Sequence, residues 1–175
     1  MSERAEESGL ATVYLGLGSN VDAERHLRSG IAALRARFRE VRLSPVYRSR
    51  AVGFEGDDFL NACCRIRTGL APAELKDWLS ELERRHGRRR GVAKFSDRTL
   101  DIDILLHGDR VGVFGSLRLP RPDILQYAHV LKPLSDLAPD LVHPETGRRI
   151  AEHWAEFDGP GSLWRVDFDV DEEPG

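Results

Sequence analysis

Apolar and polar positions change rhythm several times along this chain. The stretch Thr12-Val-Tyr-Leu-Gly-Leu-Gly18 is β-rich and closes on Gly-Ser-Asn, a turn signal, which predicts an interior first strand. From Asp22 to Phe38, the apolar residues Leu27, Ile31, Leu34 and Phe38 recur every three or four positions, the period of a half-buried helix. Val41 to Arg48 reads as a second strand. A glycine-containing loop through Arg50 to Asp58 then leads to a third, Phe59-Leu-Asn-Ala-Cys-Cys-Arg-Ile-Arg67. Pro72 suits the first turn of a second helix, Leu75, Trp78, Leu79 and Leu82 form its apolar stripe, and Gly87 is a stop signal. After a basic loop comes a fourth strand, Arg98-Thr-Leu-Asp-Ile-Asp-Ile-Leu-Leu106. Pro120, Pro122, Pro133, Pro139 and Pro144 predict short irregular segments beyond it, with a last helix over 150–157.

The order β-α-β-β-α-β predicts an α+β fold, a ferredoxin-like sandwich with an antiparallel sheet and C-terminal additions. Both helices lie on one face, leaving the other to a ligand or to the C-terminal segments. The expected organisation is a flexible N-terminal segment over 1–11, one domain over 12–158 and a tail over 159–175. A chain of 175 residues buries about 70% of its extended surface, enough for a full core. The only cysteines, Cys63 and Cys64, are adjacent and poorly placed to bridge each other, which points to a reducing compartment. No apolar run is long enough to span a bilayer, and Met1 to Ser8 is acidic and polar, so the expectation is cytoplasmic with no membrane partner. The net charge of -3 conceals arginines gathered between Arg84 and Arg98. This favours a small anion over nucleic acid, and no sheet-face aromatic motif supports an RNA-binding module.

Chemistry concentrates in the fourth strand. If Leu100, Ile102 and Ile104 mark its buried face, alternation puts Asp101 and Asp103 together on the other, with Cα atoms about 6.5 Å apart. Two carboxylates about 5 Å apart repel by about 3 kcal/mol at an effective dielectric near about 20, so a cation belongs between them. Magnesium takes a few carboxylates plus substrate phosphates, and guanidinium groups grip phosphate oxygens in pairs. Acids beside Gly87-Arg88-Arg89-Arg90 therefore suggest a metal-bound polyphosphate and phosphoryl-type transfer. The plainer readings are solvated carboxylates on an exposed strand and a solvated basic helix end. Gly16 and Gly18 permit close packing or a turn, whereas Asn61 inside a strand carries an amide that must be satisfied. His86, His107 and His143 lack zinc-ligand spacing.

With these residues placed, the chain resembles the 6-hydroxymethyl-7,8-dihydropterin pyrophosphokinase family of folate biosynthesis. The likeness is carried by Leu15-Gly-Leu-Gly-Ser-Asn20, by Ser44-Pro-Val-Tyr-Arg-Ser49 through Gly53 to Phe59-Leu-Asn61, by Glu83 through Arg90, by Arg98-Thr-Leu-Asp101-Ile-Asp103-Ile, and by Pro133-Leu-Ser-Asp-Leu-Ala-Pro-Asp140. The resemblance implies transfer of pyrophosphate from MgATP to the pterin hydroxymethyl group, with release of AMP. It implies that Asp101 and Asp103 hold two magnesium ions and that Arg88 and Arg98 neutralise phosphate charge. Glu83, Arg90, Lys94, Ile104 and Arg121 would line the nucleotide side. Ser49, Arg50, Val52, Phe59, Asn61 and His129 would line the pterin pocket, with Asn61 bonding the ring edge and Phe59 stacking on its face. The implied partners are ATP and a pterin; protein partners are left open.

Several positions depart from the family pattern. An aromatic-Gly-Pro-Arg stretch is replaced by Phe95-Ser-Asp97-Arg98, and Pro-His-Pro by Pro120-Arg121-Pro122. Tyr127 stands where an arginine is usual and His129 where an aromatic ring would stack, and a glutamine of the substrate loop is missing near Gly56. These changes leave the metal and phosphate apparatus whole and alter the pterin lid. The alternative function is a paralogue that binds nucleotide or pterin with another acceptor or no turnover.

Overall fold

The computed structural model describes residues 9–51, 56–87, 99–159 and 161–168. Strand β1 (Ala11–Ser19) leads into helix α1 (Ala23–Arg37), followed by β2 (Arg39–Leu43), β3 (Val46–Ser49), β4 (Phe59–Thr68) and helix α2 (Pro72–Arg85). Next come β5 (Asp101–His107), the hairpin β6 (Gly112–Phe114) and β7 (Leu117–Leu119), helices α3 (Asp123–Gln126), α4 (Ala128–Leu137) and α5 (Ile150–Glu156), and β8 (Leu163–Val166). The main sheet runs β5-β1-β4-β3-β8, with β2 beside β3 against the other half of β4, and its pairings are all antiparallel. This is the predicted ferredoxin-like arrangement.

The strand expected over 41–48 is broken in two at Ser44-Pro45. Proline has no N–H for the ladder, and Ser44 spans the gap: its N–H donates to the Cys63 carbonyl at 2.8 Å, and its Oγ accepts from the Cys63 N–H at 2.8 Å. Within the segment expected as a tail, Leu163–Val166 pairs with β3 and becomes the outer strand.

Alternation divides the core in two. Val13, Leu15 and Leu17 of β1, Leu60, Ala62, Cys64 and Ile66 of β4, and Ile102 and Ile104 of β5 pack under Leu27, Ile31 and Leu34 of α1 and Leu75, Leu79 and Leu82 of α2. On the opposite face Tyr14, Cys63, Leu105 and Leu106 meet Ile124, Leu131, Leu134 and Ile150. The region after β5 is thus not irregular, as its prolines suggested. Burying a leucine such as Leu131 or Leu134 contributes about 2 kcal/mol, enough to hold α4 although Pro133 removes one helical N–H. Adjacent Leu105 and Leu106 share this face because a bulge in the β1–β5 register places Tyr14 opposite Leu106 and Leu15 opposite Ile104. No helix among the described residues is long and apolar enough to cross a membrane.

Candidate active site

The C-terminal helices cover only part of the second sheet face. The uncovered part is organised by two glycines of β1. Gly18 lies between Asp101 of β5 and Asn61 of β4, and Gly16 between Asp103 and Cys63. Residues directly opposite across a ladder share a face, so the two acids stand on one side of a bare strand and Asn61, with Phe59, on the other. A Cβ at position 18 would lie 3.6 Å from Asn61 Oδ1 and 3.9 Å from the Phe59 ring. The result is a pit whose floor is backbone. Gly16 has a packing reason as well, since a Cβ there would approach Leu105 Cδ2 to 3.3 Å.

On the acid wall, Ile102 and Ile104 fill the helix-side core, which turns Asp101 and Asp103 outward together, as the alternation predicted. Their carboxyls are within hydrogen-bonding reach of each other. Loss of hydration, then the charge of Asp101, pushes the Asp103 carboxyl well above the usual carboxylate range. Between these acids, Glu83 of α2 accepts the Ile102 N–H at 2.9 Å, and it is itself buried. It fastens β5, an edge strand, to the helix layer, and its charge adds to that around Asp103.

Arg121 enters from the far side. The chain leaving β7 is tied to the β5 bulge by the Arg121 N–H donating to the Leu105 carbonyl at 2.9 Å. Its guanidinium lies 3.6 Å from Asp103 and 3.4 Å from Asp123, the first residue of α3. Burial opposes its charge, but Asp103, Asp123 and Asp101 together hold its pKa above the ordinary arginine value. Beyond the single turn of α3, at the start of α4, His129 stacks against Tyr127, with centroids 5.3 Å apart and planes inclined by 27°. Burial lowers the His129 pKa, against the opposing pull of Asp123 and Asp101.

On the opposite wall, Asn61 is 4% exposed and its amide donates to Ser49 Oγ at 2.7 Å. This fixes the amide, with Oδ1 over Gly18. Arg50 follows β3 and is exposed. Ile104 faces the helix-side core rather than the pit, so only its backbone can meet a ligand there. Val52, Arg88, Arg90, Lys94 and Arg98 lie outside the described residues.

The donor set suits a hard divalent cation completed by a ligand's own oxygens: two adjacent carboxylates on an open face, with excess negative charge. Among the described residues no group of three histidine, cysteine, aspartate or glutamate side chains could enclose a metal by itself. Two participants escaped the sequence reading. Asp123 holds the other side of Arg121; its signal was an acid in the first turn of a helix after Pro122. Ser19, whose Oγ donates to the Thr99 carbonyl, ties the end of β1 to the approach to β5.

A profile of the family described as 7,8-dihydro-6-hydroxymethylpterin-pyrophosphokinase (HPPK) matches residues 14–139. The chain is 38% identical over 155 residues to the 2-amino-4-hydroxy-6-hydroxymethyldihydropteridine pyrophosphokinase of Synechocystis, covering 87% of this chain and 78% of that one. It is 37% identical over 137 residues to the enzyme of the same name from Aquifex aeolicus, covering 77% and 85%. Among solved structures, the HPPK-DHPS protein of Plasmodium falciparum superimposes with a TM-score of 0.63 at 12% identity, over 85% of this chain and 45% of that longer one, and supports the fold. The profile takes in Gly18, Asn61, Asp101 and Asp103, and the chain belongs to the 7,8-dihydro-6-hydroxymethylpterin-pyrophosphokinase family.

Proposed function

We propose that this chain transfers the pyrophosphoryl group of MgATP to the hydroxymethyl oxygen of 6-hydroxymethyl-7,8-dihydropterin, releasing AMP. The acceptor oxygen bonds to the β-phosphorus as the bond from that phosphorus to the α–β bridging oxygen breaks; the hydroxyl proton passes to solvent. The observation that carries the reading is the pairing of Asp101 with Asp103 beside a glycine floor whose other wall is Asn61.

Each wall has its part. Asp101 and Asp103 would hold two magnesium ions against the phosphates. Such ions neutralise charge on the transferring group and lower the pKa of the acceptor hydroxyl. Glu83 keeps the acids in place by holding the intervening N–H of Ile102. Arg121, with Arg88 and Arg98, would stabilise phosphate charge, while Arg90, Lys94 and the backbone at Ile104 would line the nucleotide side. A flat heteroaromatic ring fits a bare floor: Phe59 would stack on it, Asn61 would bond its edge, and Ser49, Arg50, Val52 and His129 would complete the pocket. Positioning and electrostatics then supply the rate, with little acid–base work by side chains. The reading takes a pterin and ATP as partners, neither membrane nor nucleic acid, and a cytoplasmic setting.

Purified protein given MgATP and the hydroxymethyl dihydropterin should form AMP and diphosphorylated pterin in equal amounts. Asp101→Ala and Asp103→Ala should each lower turnover by about a thousandfold or more with unchanged circular dichroism. Saturable binding without AMP, or near-normal turnover in either variant, would overturn the assignment.

A further inference from the structure

The position of Arg121 has a meaning beyond phosphate binding. Its guanidinium stands 3.6 Å from Asp103 and 3.4 Å from Asp123, on the open side of the acid pair. Its side chain is 27% exposed and that of Asp103 is 30% exposed, so the contact sits at the mouth of the pit, where a ligand arrives. The arginine is anchored from behind through its own N–H on the Leu105 carbonyl, and Asp123 gives its head a second resting place away from Asp103. Arg121 thus sets a guanidinium directly against Asp103, with Asp123 on its other side.

We propose that Arg121 is a built-in counter-ion that competes with the divalent metal for Asp103, so that the acid pair takes metal weakly until nucleotide phosphates draw the guanidinium away. The inference rests on the metal-site reading above and adds to it. A permanent cation suits the task better than a neutral imidazole, since it cannot be discharged near neutral pH. A charge about 5 Å from an incoming ion is felt through the partly hydrated mouth and screened only in part, so the competition is substantial. Once phosphate oxygens enter, the same guanidinium finds paired acceptors on the ligand and leaves Asp103 to the metal. Metal and nucleotide therefore enter as one unit, and the empty site resists other hard cations.

Manganese serves as the probe, titrated into full-length protein without nucleotide at about pH 8 and followed by the electron paramagnetic resonance signal of the free ion. Arg121→Gln should bind manganese about tenfold more tightly than wild type, and Arg121→Lys, which keeps the charge on a mobile ammonium, should fall between them. A non-hydrolysable ATP analogue should abolish or reverse the advantage of Arg121→Gln. Thermal melts within a few degrees of wild type establish that the variants are folded. Equal or weaker manganese binding in folded Arg121→Gln, with binding still lost in Asp103→Ala, overturns the counter-ion proposal and leaves the metal site standing. Manganese uptake indifferent to Asp103→Ala, with and without the analogue, overturns both.

Discussion

At Gly18 the absent side chain leaves backbone bare between Asp101 and Asn61. A methyl there would meet Asn61 Oδ1 at 3.6 Å and the Leu60 carbonyl at 3.9 Å, ordinary contacts that the fold accepts. On the proposed reading it would nevertheless stand up from the floor assigned to the acceptor ring. Gly18→Ala should melt within a few degrees of wild type and raise KM for the pterin about tenfold while changing kcat little; steady-state kinetics with saturating MgATP checks this. Gly16 differs, because its methyl would come within 3.3 Å of Leu105 and the bulge that sets Leu105 would have to give. Sequence alone offered a turn or close packing for both glycines. What separates them is the register across to β4 and β5, a relation between distant parts of the chain. The acids were easier to read, since alternation within seven residues, Asp101–His107, already assigns their face. Arg121 was legible as a residue and not as a contact, because its approach to Asp103 depends on the hairpin β6–β7 turning the chain back.

At the scale of elements, β5 is an edge strand whose outer side would expose an N–H between the two acids. Glu83 takes that donor from α2 at 2.9 Å. Glu83→Gln keeps an acceptor there and should retain most of the stability. Glu83→Ala leaves a buried donor unmet and should lose about 1–3 kcal/mol in urea unfolding, with a larger loss of turnover than of pterin binding. Equal stability of the two variants would show that the tether is dispensable. The strongly periodic elements, α1, α2, β1 and β5, were readable because each buries one face against a layer already defined by its own pattern. Helices α3 and α4 were not. Five prolines from 120 to 144 signal interruption locally, yet the apolar half-face of the sheet at Tyr14, Cys63, Leu105 and Leu106, which would otherwise meet water, rewards any segment that brings Ile124, Leu131 and Leu134 to it. Tertiary burial outweighed local propensity there.

For the molecule as a whole, the two ends of β5 have opposite tasks. The Asp101 end opens to solvent, while His107 at the other is 2% exposed and locked, its Nε2–H donating to the Leu70 carbonyl at 2.9 Å and its Nδ1 sealed without a partner. Burial lowers the pKa of this ring below its ordinary 6.5. The unfolded chain therefore takes up a proton near pH 6.5 that the folded chain refuses. The stability tied to His107 is complete above that pH and is lost as the pH falls below it toward the depressed value. His107→Gln keeps a donor for Leu70 and removes the titration. Its unfolding free energy in urea should fall less than that of wild type between about pH 7.5 and about pH 5.5, by at most about 1.4 kcal/mol. Equal falls would place the acid sensitivity elsewhere.

The backbone floor at Gly18 also bears on inhibitors. A compound lying flat there reads peptide groups, which a point mutation elsewhere cannot rewrite, and a side chain introduced at Gly18 would, on the proposed reading, obstruct the acceptor along with the drug. On that reading escape runs through the side chains proposed to line the pocket, Ser49, Arg50, Val52, Phe59, Asn61 and His129, and a compound that draws little of its affinity from them leaves resistance few routes.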